Sequence, residues 1–292
     1  MSRPIAPSSS LLVAALVLLC AAPARAGPWT PPPKVGYAKA WFRWLPGFGY
    51  RDGEGEKRDY GRYNELSVNV YGELGLLPGL ALTLHAPLVQ IFTLEDPRRG
   101  ESEVHVHPGD PALGLRWRLL SAGPLALALE AAVRFPLATS DDLQPVYGTD
   151  ESNERLGALR AGSGVFDFPL GFSVGLAFSG GFVEASLHGI LRTGGYRHDV
   201  AWTLAGGLDF SQRWRGRLRL MGRHATGLGG DAPRHDSPSG IGNGTSYGGF
   251  ALEVDYRLTP RWALGAVLEG GLFALRRQTG GPVLNLVVST TF

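Results

Sequence analysis

Residues 282–292, PVLNLVVSTTF, alternate between two kinds of side chain and end on an aromatic residue. An extended chain would carry apolar residues on one side and mostly polar ones on the other: Leu284, Leu286, Val288 and Phe292 against Asn285, Val287, Ser289 and Thr291. Alternation with period two is typical of a β-strand with two different faces. The stretch therefore predicts a strand whose two sides meet different surroundings.

The same alternation continues upstream through almost the whole chain. In residues 182–193 one face carries Val183, Ala185, Leu187, Gly189 and Leu191, and the other carries Glu184, Ser186, His188, Ile190 and Arg192. A helix would distribute these charges around its surface, whereas a strand places them on one side. The pattern predicts about twelve strands. They lie near residues 35–44, 60–76, 80–94, 109–120, 125–138, 162–178, 182–192, 199–210, 215–226, 246–257, 262–275 and 282–292.

The connections between these strands alternate in length. Tight turns are expected at residues 77–79, 121–124, 179–181, 211–214 and 258–261. Longer connections are expected at residues 45–59, 95–108, 139–161, 193–198, 227–245 and 276–281, although two of them, 193–198 and 276–281, have only six residues each. Outer-membrane barrels have this asymmetry, with short periplasmic turns and longer extracellular loops. We therefore predict an all-β fold, in which residues 35–292 form a single transmembrane antiparallel β-barrel of about twelve strands with both termini in the periplasm.

Composition excludes several other classes of protein. The chain has 292 residues, of which 44% are hydrophobic and only 18% charged. Its mean hydropathy of -0.01 is too polar for a bundle of transmembrane helices. A formal net charge of +2 does not suggest a nucleic-acid partner. A secreted soluble β-sandwich would also alternate, but its apolar outer face would aggregate in water. Residues 168–183 are uncharged, yet Pro169 and several glycines favour a strand pair over a membrane helix there.

The first 26 residues have the features of a secretory signal peptide. Arg3 precedes an apolar run at residues 11–22, and residues 24–26 (ARA) resemble a cleavage site. Cleavage after Ala26 would remove Cys20, the only cysteine of the chain. Lipidation of Cys20 is the less favoured alternative, because Leu19 precedes it. Residues 27–34, which include PWTPPP, are expected to form an extended periplasmic lead-in.

The C-terminal stretch resembles the closing strand of bacterial outer-membrane proteins. In that family the terminal aromatic, here Phe292, is recognised by the barrel-insertion machinery. Thr290 departs from the usual pattern, which has an apolar residue at that position. The resemblance implies a Gram-negative outer-membrane location, with lipid and lipopolysaccharide as surroundings.

Charged side chains recur on the predicted inner face, and we predict that they line the pore. They are Glu65, Glu73, Arg116, Arg118, Glu130, Arg134, Glu184, His188, Arg192, Arg217, Arg219, Arg223, Glu253, Asp255, Arg257 and Glu269. Two interpretations stay open. The residues select small solutes in a narrow aqueous path, or they pair across the lumen and seal it. Eight strands leave no channel and sixteen leave a wide one, so twelve strands allow both. Residues 139–161 are the candidate for a loop that folds inward.

Several motifs suggest other chemistry, but none is complete. Ser173 and Ser246 each lie in a G-x-S-x-G match, yet neither lies in the strand–turn–helix context that a nucleophile elbow needs. His105 and His107 could share a metal ion, but no third ligand is evident nearby. Acidic residues of the long loop do not have the spacing of a calcium loop: Asp141, Asp142, Asp150, Glu151 and Glu154. We therefore expect no catalytic site, cofactor or metal, with a barrel lipid hydrolase as the least favoured alternative.

Three stretches together resemble one group of barrels. They are residues 71–88 (YGELGLLPGLALTLHAPL), 109–119 (GDPALGLRWRL) and 191–196 (LRTGGY). The chain is similar over about residues 60–292 to outer-membrane proteins of the meta-pathway of phenol degradation, some of which are described simply as transporters. The resemblance implies uptake of small, in some cases aromatic, compounds. It carries over no site residues.

Overall fold

The computed structural model describes residues 27–96, 100–149, 154–230, 239, 242–275, 277–280 and 282–292. The predicted signal peptide, with Cys20, lies outside the described residues, as do Asp150 and Glu151. No helix in the described part of the chain is long and apolar enough to cross a membrane. The strands are β1 (Gly36–Arg51), β2 (Lys57–Arg58), β3 (Tyr63–Leu77), β4 (Leu80–Asp96), β5 (Glu101–His107), β6 (Ala112–Ala122), β7 (Leu125–Arg134), β8 (Gln144–Tyr147), β9 (Arg155–Leu159), β10 (Asp167–Phe178), β11 (Gly181–Arg192), β12 (Arg197–Asp209), β13 (Trp214–Gly229), β14 (Ser246–Arg257), β15 (Trp262–Leu275), β16 (Arg277–Gly280) and β17 (Val283–Thr291).

Twelve of these strands form one closed antiparallel sheet. The order around the barrel is β1, β3, β4, β6, β7, β10, β11, β12, β13, β14, β15 and β17. Closure is made by β17 and β1, which pair from Tyr37 opposite Thr291 to Trp44 opposite Leu284. A closed sheet pairs the backbone groups of every strand, as a bilayer requires. The predicted fold class, an antiparallel barrel of twelve strands, is confirmed.

The two faces of the barrel are inverted relative to a soluble sandwich. Large apolar side chains are exposed on the outside, among them Val68, Leu84, Leu115, Leu187, Leu218 and Leu252. Polar and charged side chains are buried on the inside, among them Glu65, Asn69, Asp167 and Glu253. The sandwich alternative is therefore wrong, because its buried face would be the apolar one.

The short turns gather at one end of the barrel, which we call the short-turn end; the opposite end is the long-loop end. Both β1 and β17 reach the short-turn end, where Gly36 and Phe292 exchange backbone hydrogen bonds. The predicted alternation of short and long connections is observed, with one exception in length. The connection at residues 193–196 belongs to the long-loop end but is as short as the opposite turns, because Gly194 and Gly195 both adopt positive φ.

The first strand is longer than predicted. The alternation weakens at Pro46 and Gly47, so residues 45–59 were expected to be a loop. Instead β1 continues to Arg51, where it pairs with β2 and β16. The short strands β5, β8 and β9 were likewise missed, and they extend the barrel wall or fold over the long-loop end.

Strand β4 changes the parity of its faces at Leu88. Val68 lies opposite Val89, but the next residue, Asn69, lies opposite Pro87, so Leu88 is an extra residue in the ladder. Phe92, which unbroken alternation from the start of the strand would place on the outer face, therefore points inward and is 0% exposed.

Candidate functional site: the barrel lumen

The strand registers place all sixteen residues that we predicted as pore-lining at inner-face positions of the barrel strands, and their role in a pore stays a prediction. The structure also brings to this face six polar residues that we did not single out: Lys39, Arg43, Tyr71, His85, Asp167 and Asp199. Lys39, Tyr71 and His85 lie within predicted strands, at positions that alternate in step with the other inward residues. The alternation itself could therefore have identified them. Asp167 is the first residue of β10 and Asp199 the third of β12, so too few strand residues precede them to fix a face.

A cluster of two carboxylates and three guanidinium groups occupies the half of the lumen nearest the long-loop end. Asp167 accepts hydrogen bonds from Arg192 (3.0 Å) and Arg134 (3.2 Å), and Arg223 Nη2 lies 3.7 Å away. Arg223 also donates to Asp199 through Nε (2.7 Å). These bonds join β7, β10, β11, β12 and β13, so the cluster stiffens nearly half of the wall.

A second cluster lies deeper in the barrel, around Arg116. Its guanidinium contacts Glu73 (2.8 Å) and Glu130 (3.2 Å) on either side. Ser173 Oγ donates to Glu130 Oε1 (2.6 Å), and His188 Nε2 lies 3.3 Å from Glu130 Oε2. The carboxylate thus stands between the hydroxyl and the imidazole. A hydrolytic triad has the histidine in the middle, so this order does not activate Ser173 as a nucleophile.

A third set of ion pairs crosses the β1 side of the barrel. Lys39 Nζ and Arg217 Nη1 lie 2.8 Å and 3.4 Å from the two carboxylate oxygens of Glu253. Arg43 contacts Glu65 at 2.7 Å and Glu269 at 3.9 Å. Many inward charges are therefore already partnered, which lowers the cost of burying them.

Aromatic and apolar side chains interrupt this charged surface midway along the lumen. Trp41 stacks on His85, with ring centroids 5.7 Å apart and planes inclined by 16°. Trp41 also packs with Met221 against a small apolar patch on the inner wall, formed by Ala251, Val267 and Val287. The wall at this depth can therefore contact an apolar or aromatic body.

Three cavities follow one another along the lumen. The central cavity has a volume of about 390 Å³ and contains Trp41, His85, Glu130 and Glu184 in its wall. A cavity of about 240 Å³ lies towards the long-loop end and shares His85 with it. A cavity of about 190 Å³ lies at the short-turn end and shares Tyr37 and Arg217 with it. The lumen is thus a segmented path, interrupted by side chains rather than filled by them.

The long loop closes part of the long-loop end. Val146 of β8 and Leu159 of β9 are buried in a hydrophobic cluster with inward side chains of the barrel wall. The wall contributes Leu45, Tyr63, Phe92, Leu94 and Val283. The loop that we named as the candidate for inward folding therefore packs on the inner face of the barrel.

The segment before β1 enters the opposite end. Pro33 forms an isolated β-bridge with Gly75 of β3. Trp29 packs edge-to-face on Phe182 of β11, with ring centroids 6.0 Å apart. Pro28 is fully buried. Residues 27–32, the first part of the expected periplasmic lead-in at residues 27–34, therefore cross the inside of the barrel from one wall to the other.

The remaining motifs do not form sites in the described part of the chain. The rings of His105 and His107 are 6.4 Å apart in β5, and no group of three metal-binding side chains occurs among the described residues. Asp142 is engaged by Arg155 (3.3 Å) and Arg160 (2.8 Å). Ser246 Oγ accepts a hydrogen bond from the backbone of Ala225. Phe292 lies at the rim with its side chain 61% exposed.

Comparison with solved structures agrees with this architecture. The chain is similar to the COG4313 outer membrane channel from Pseudomonas putida F1, with a TM-score of 0.67 and 11% identity over 92% of this chain and 99% of that one. The fold is that of an outer-membrane β-barrel. It is also similar to the NanC porin, with a TM-score of 0.50 and 8% identity over 86% of this chain and 98% of that one.

Sequence comparisons add no family. No family model matches the chain, and no curated protein matches it. The resemblance to barrels of phenol degradation therefore stays a prediction.

Proposed function

We propose that the protein is an outer-membrane channel of a Gram-negative bacterium that admits small solutes. The observation that carries this proposal is the series of cavities, 240, 390 and 190 Å³ in volume, that runs through a closed barrel. Their polar walls would hold water, while the apolar outer face would contact lipid and lipopolysaccharide. We further propose that Phe292 serves as the signal for the insertion machinery and that residues 1–26 are the signal peptide.

Within this function, we propose a preference for small aromatic solutes. The stacked pair of Trp41 and His85 supplies flat faces to the central cavity, and Tyr37 and Tyr71 lie at 6.4 Å from each other in the same wall. Aromatic rings pack favourably on such faces. Charged neighbours would orient a polar substituent without filling the cavity.

Liposome swelling tests both the proposed channel and its proposed preference for aromatic solutes. Vesicles that contain the protein should swell in phenol faster than in cyclohexanol, which is similar in size but not aromatic, after subtraction of the rate in protein-free vesicles. Substitution of Trp41 by leucine should remove this difference and leave passage of small neutral solutes such as glycerol. Equal rates for the two alcohols would reject the aromatic preference, and no swelling in any solute would reject the channel.

A second candidate function is a structural or surface-interaction barrel with a plugged lumen. The observation that favours it is that the β8–β9 hairpin covers part of one end of the lumen and residues 27–32 enter the other. This candidate predicts full insertion into vesicles without permeability to any solute. We do not assign an enzymatic activity, since Glu130 separates Ser173 from His188.

A further inference from the structure

Residues 27–32 are held inside the barrel by close packing against glycines of the wall. A Cβ on Gly75 would lie 2.0 Å from the carbonyl oxygen of Pro32, and a Cβ on Gly175 would lie 2.4 Å from the ring of Trp29. Side chains at these two wall positions would collide with the segment. The barrel thus provides a fitted groove for it.

The first described residue of this segment touches a carboxylate. A Cβ on Gly27 would lie 1.9 Å from Glu184 Oε2, and Gly27 has a φ of +102°, which favours glycine. Because Cβ and N are bonded to the same Cα, the Gly27 nitrogen lies within about 4.5 Å of that oxygen. Glu184 Oε2 is itself buried and has no hydrogen-bond partner among the described residues.

The cations around Glu184 leave room for another partner. Arg116, Arg217 and Arg219 interact with it electrostatically, as does Glu130 with opposite effect. Arg116 is engaged by Glu73 and Glu130, and Arg217 by Glu253, while Arg219 donates no hydrogen bond to Glu184 Oε2. A buried carboxylate oxygen without a donor is costly, so a donor at this place would stabilise the structure.

We propose that cleavage after Ala26 makes the Gly27 nitrogen a charged donor: the new α-ammonium group of Gly27 pairs with Glu184 and latches residues 27–32 inside the barrel. Hydrolysis of the 26–27 peptide bond places a positive charge on the Gly27 nitrogen, within about 4.5 Å of the unpartnered oxygen. Before cleavage the same nitrogen is a neutral amide. The latch therefore forms only in the processed chain, and it keeps the short-turn end narrow.

Cysteine labelling tests the latch without relying on solute passage. If Cys20 leaves with the signal peptide, Thr30→Cys supplies the sole thiol of the processed chain, at a position that is 6% exposed. Labelling of this thiol by a small maleimide should be slow in detergent micelles. Glu184→Gln should accelerate labelling at least tenfold, and so should insertion of one serine between Ala26 and Gly27, which moves the ammonium group away. Glu269→Gln is the control, because its carboxylate contacts Arg43 and Asn285 instead.

A variant that carries both Glu184→Gln and the serine insertion tests whether the two changes disrupt the same ion pair. With both changes, labelling should be no faster than with either one, since each removes the same interaction. N-terminal sequencing of the exported protein must begin at Gly27. A different first residue, or labelling that changes less than twofold in the serine insertion, would overturn the latch. The insertion replaces no side chain of the lumen, so its result holds even if Glu184→Gln prevents folding. Absence of swelling in vesicles would reject the proposed channel function but not the latch.

Discussion

Replacing Asp167 by asparagine would remove one carboxylate from the centre of an arginine cluster while keeping the size of the side chain. Asp167 is 2% exposed and lies within 3.2 Å of both Arg134 and Arg192. The variant leaves three guanidinium groups facing a single carboxylate, that of Asp199. We therefore expect the barrel to lose much of the stability that this cluster gives to five neighbouring strands.

The size of the effect follows from burial and from the neighbouring cavity. Removal of one partner from a buried ion pair costs about 3–5 kcal/mol. The adjacent cavity of 240 Å³ can admit water to the orphaned arginines, so the lower end, about 3 kcal/mol, applies. Asp142 offers the matched control because it pairs with Arg155 and Arg160 in the exposed loop. Surface pairs contribute about 0–1 kcal/mol, so Asp142→Asn should change stability by less than about 1 kcal/mol.

The assay is a reversible urea titration of the protein in lipid vesicles, followed by tryptophan emission. The free energy of unfolding of Asp167→Asn should fall by about 3 kcal/mol at an unchanged slope, and that of Asp142→Asn should stay near the parent value. Equal effects of the two substitutions would refute the reasoning, because they would mean that the lumen screens charges as well as open water does.

Three other substitutions, one of them with a matched control, test separate parts of the structure. Leu115→Arg places a charge on the lipid face and should reduce the stability of the inserted barrel by about 2–4 kcal/mol, whereas Leu137→Arg in the exposed loop should not; equal unfolding curves would contradict the assigned faces. Leu159→Ala removes a fully buried side chain from the loop cluster, so hydrogen exchange of β8 and β9 should accelerate at least tenfold while the barrel strands keep their protection. Unchanged exchange would mean that the hairpin is not held there. Gly75→Leu should expel residues 27–32 and expose them to protease, and continued resistance would contradict the packing of Pro32 on this wall.

The architecture could be predicted from the sequence because the signal is repeated in every strand. Alternation and tight turns placed β14 and β15 at their observed bounds, residues 246–257 and 262–275. The same rule failed at Phe92, since the extra residue at Leu88 exchanges the two faces of β4 without any change of composition. It also ended β1 too early, because proline and glycine at residues 46–49 hide a strand that continues to pair.

The lumen was less predictable, because its geometry depends on closure. Lys39 meets Glu253 across a separation of 214 residues, which only the register of the closed barrel can bring together. The inward course of residues 27–32 depends on gaps at Gly75 and Gly175, and glycine is too frequent in this chain, with 42 copies, to mark them. Local periodicity therefore predicts which face of a strand a residue occupies. Its contact partners, and the segments that enter the lumen, depend on the geometry of the closed sheet.

We infer that the pore is segmented and narrowed by its own N-terminal segment. The most direct test of this inference is single-channel conductance in planar bilayers. The processed protein should give a small, discrete conductance, and a variant that lacks residues 28–32 should give a conductance several times larger in the same salt. Insertion of both proteins without current, or equal conductance of the two, would contradict the account.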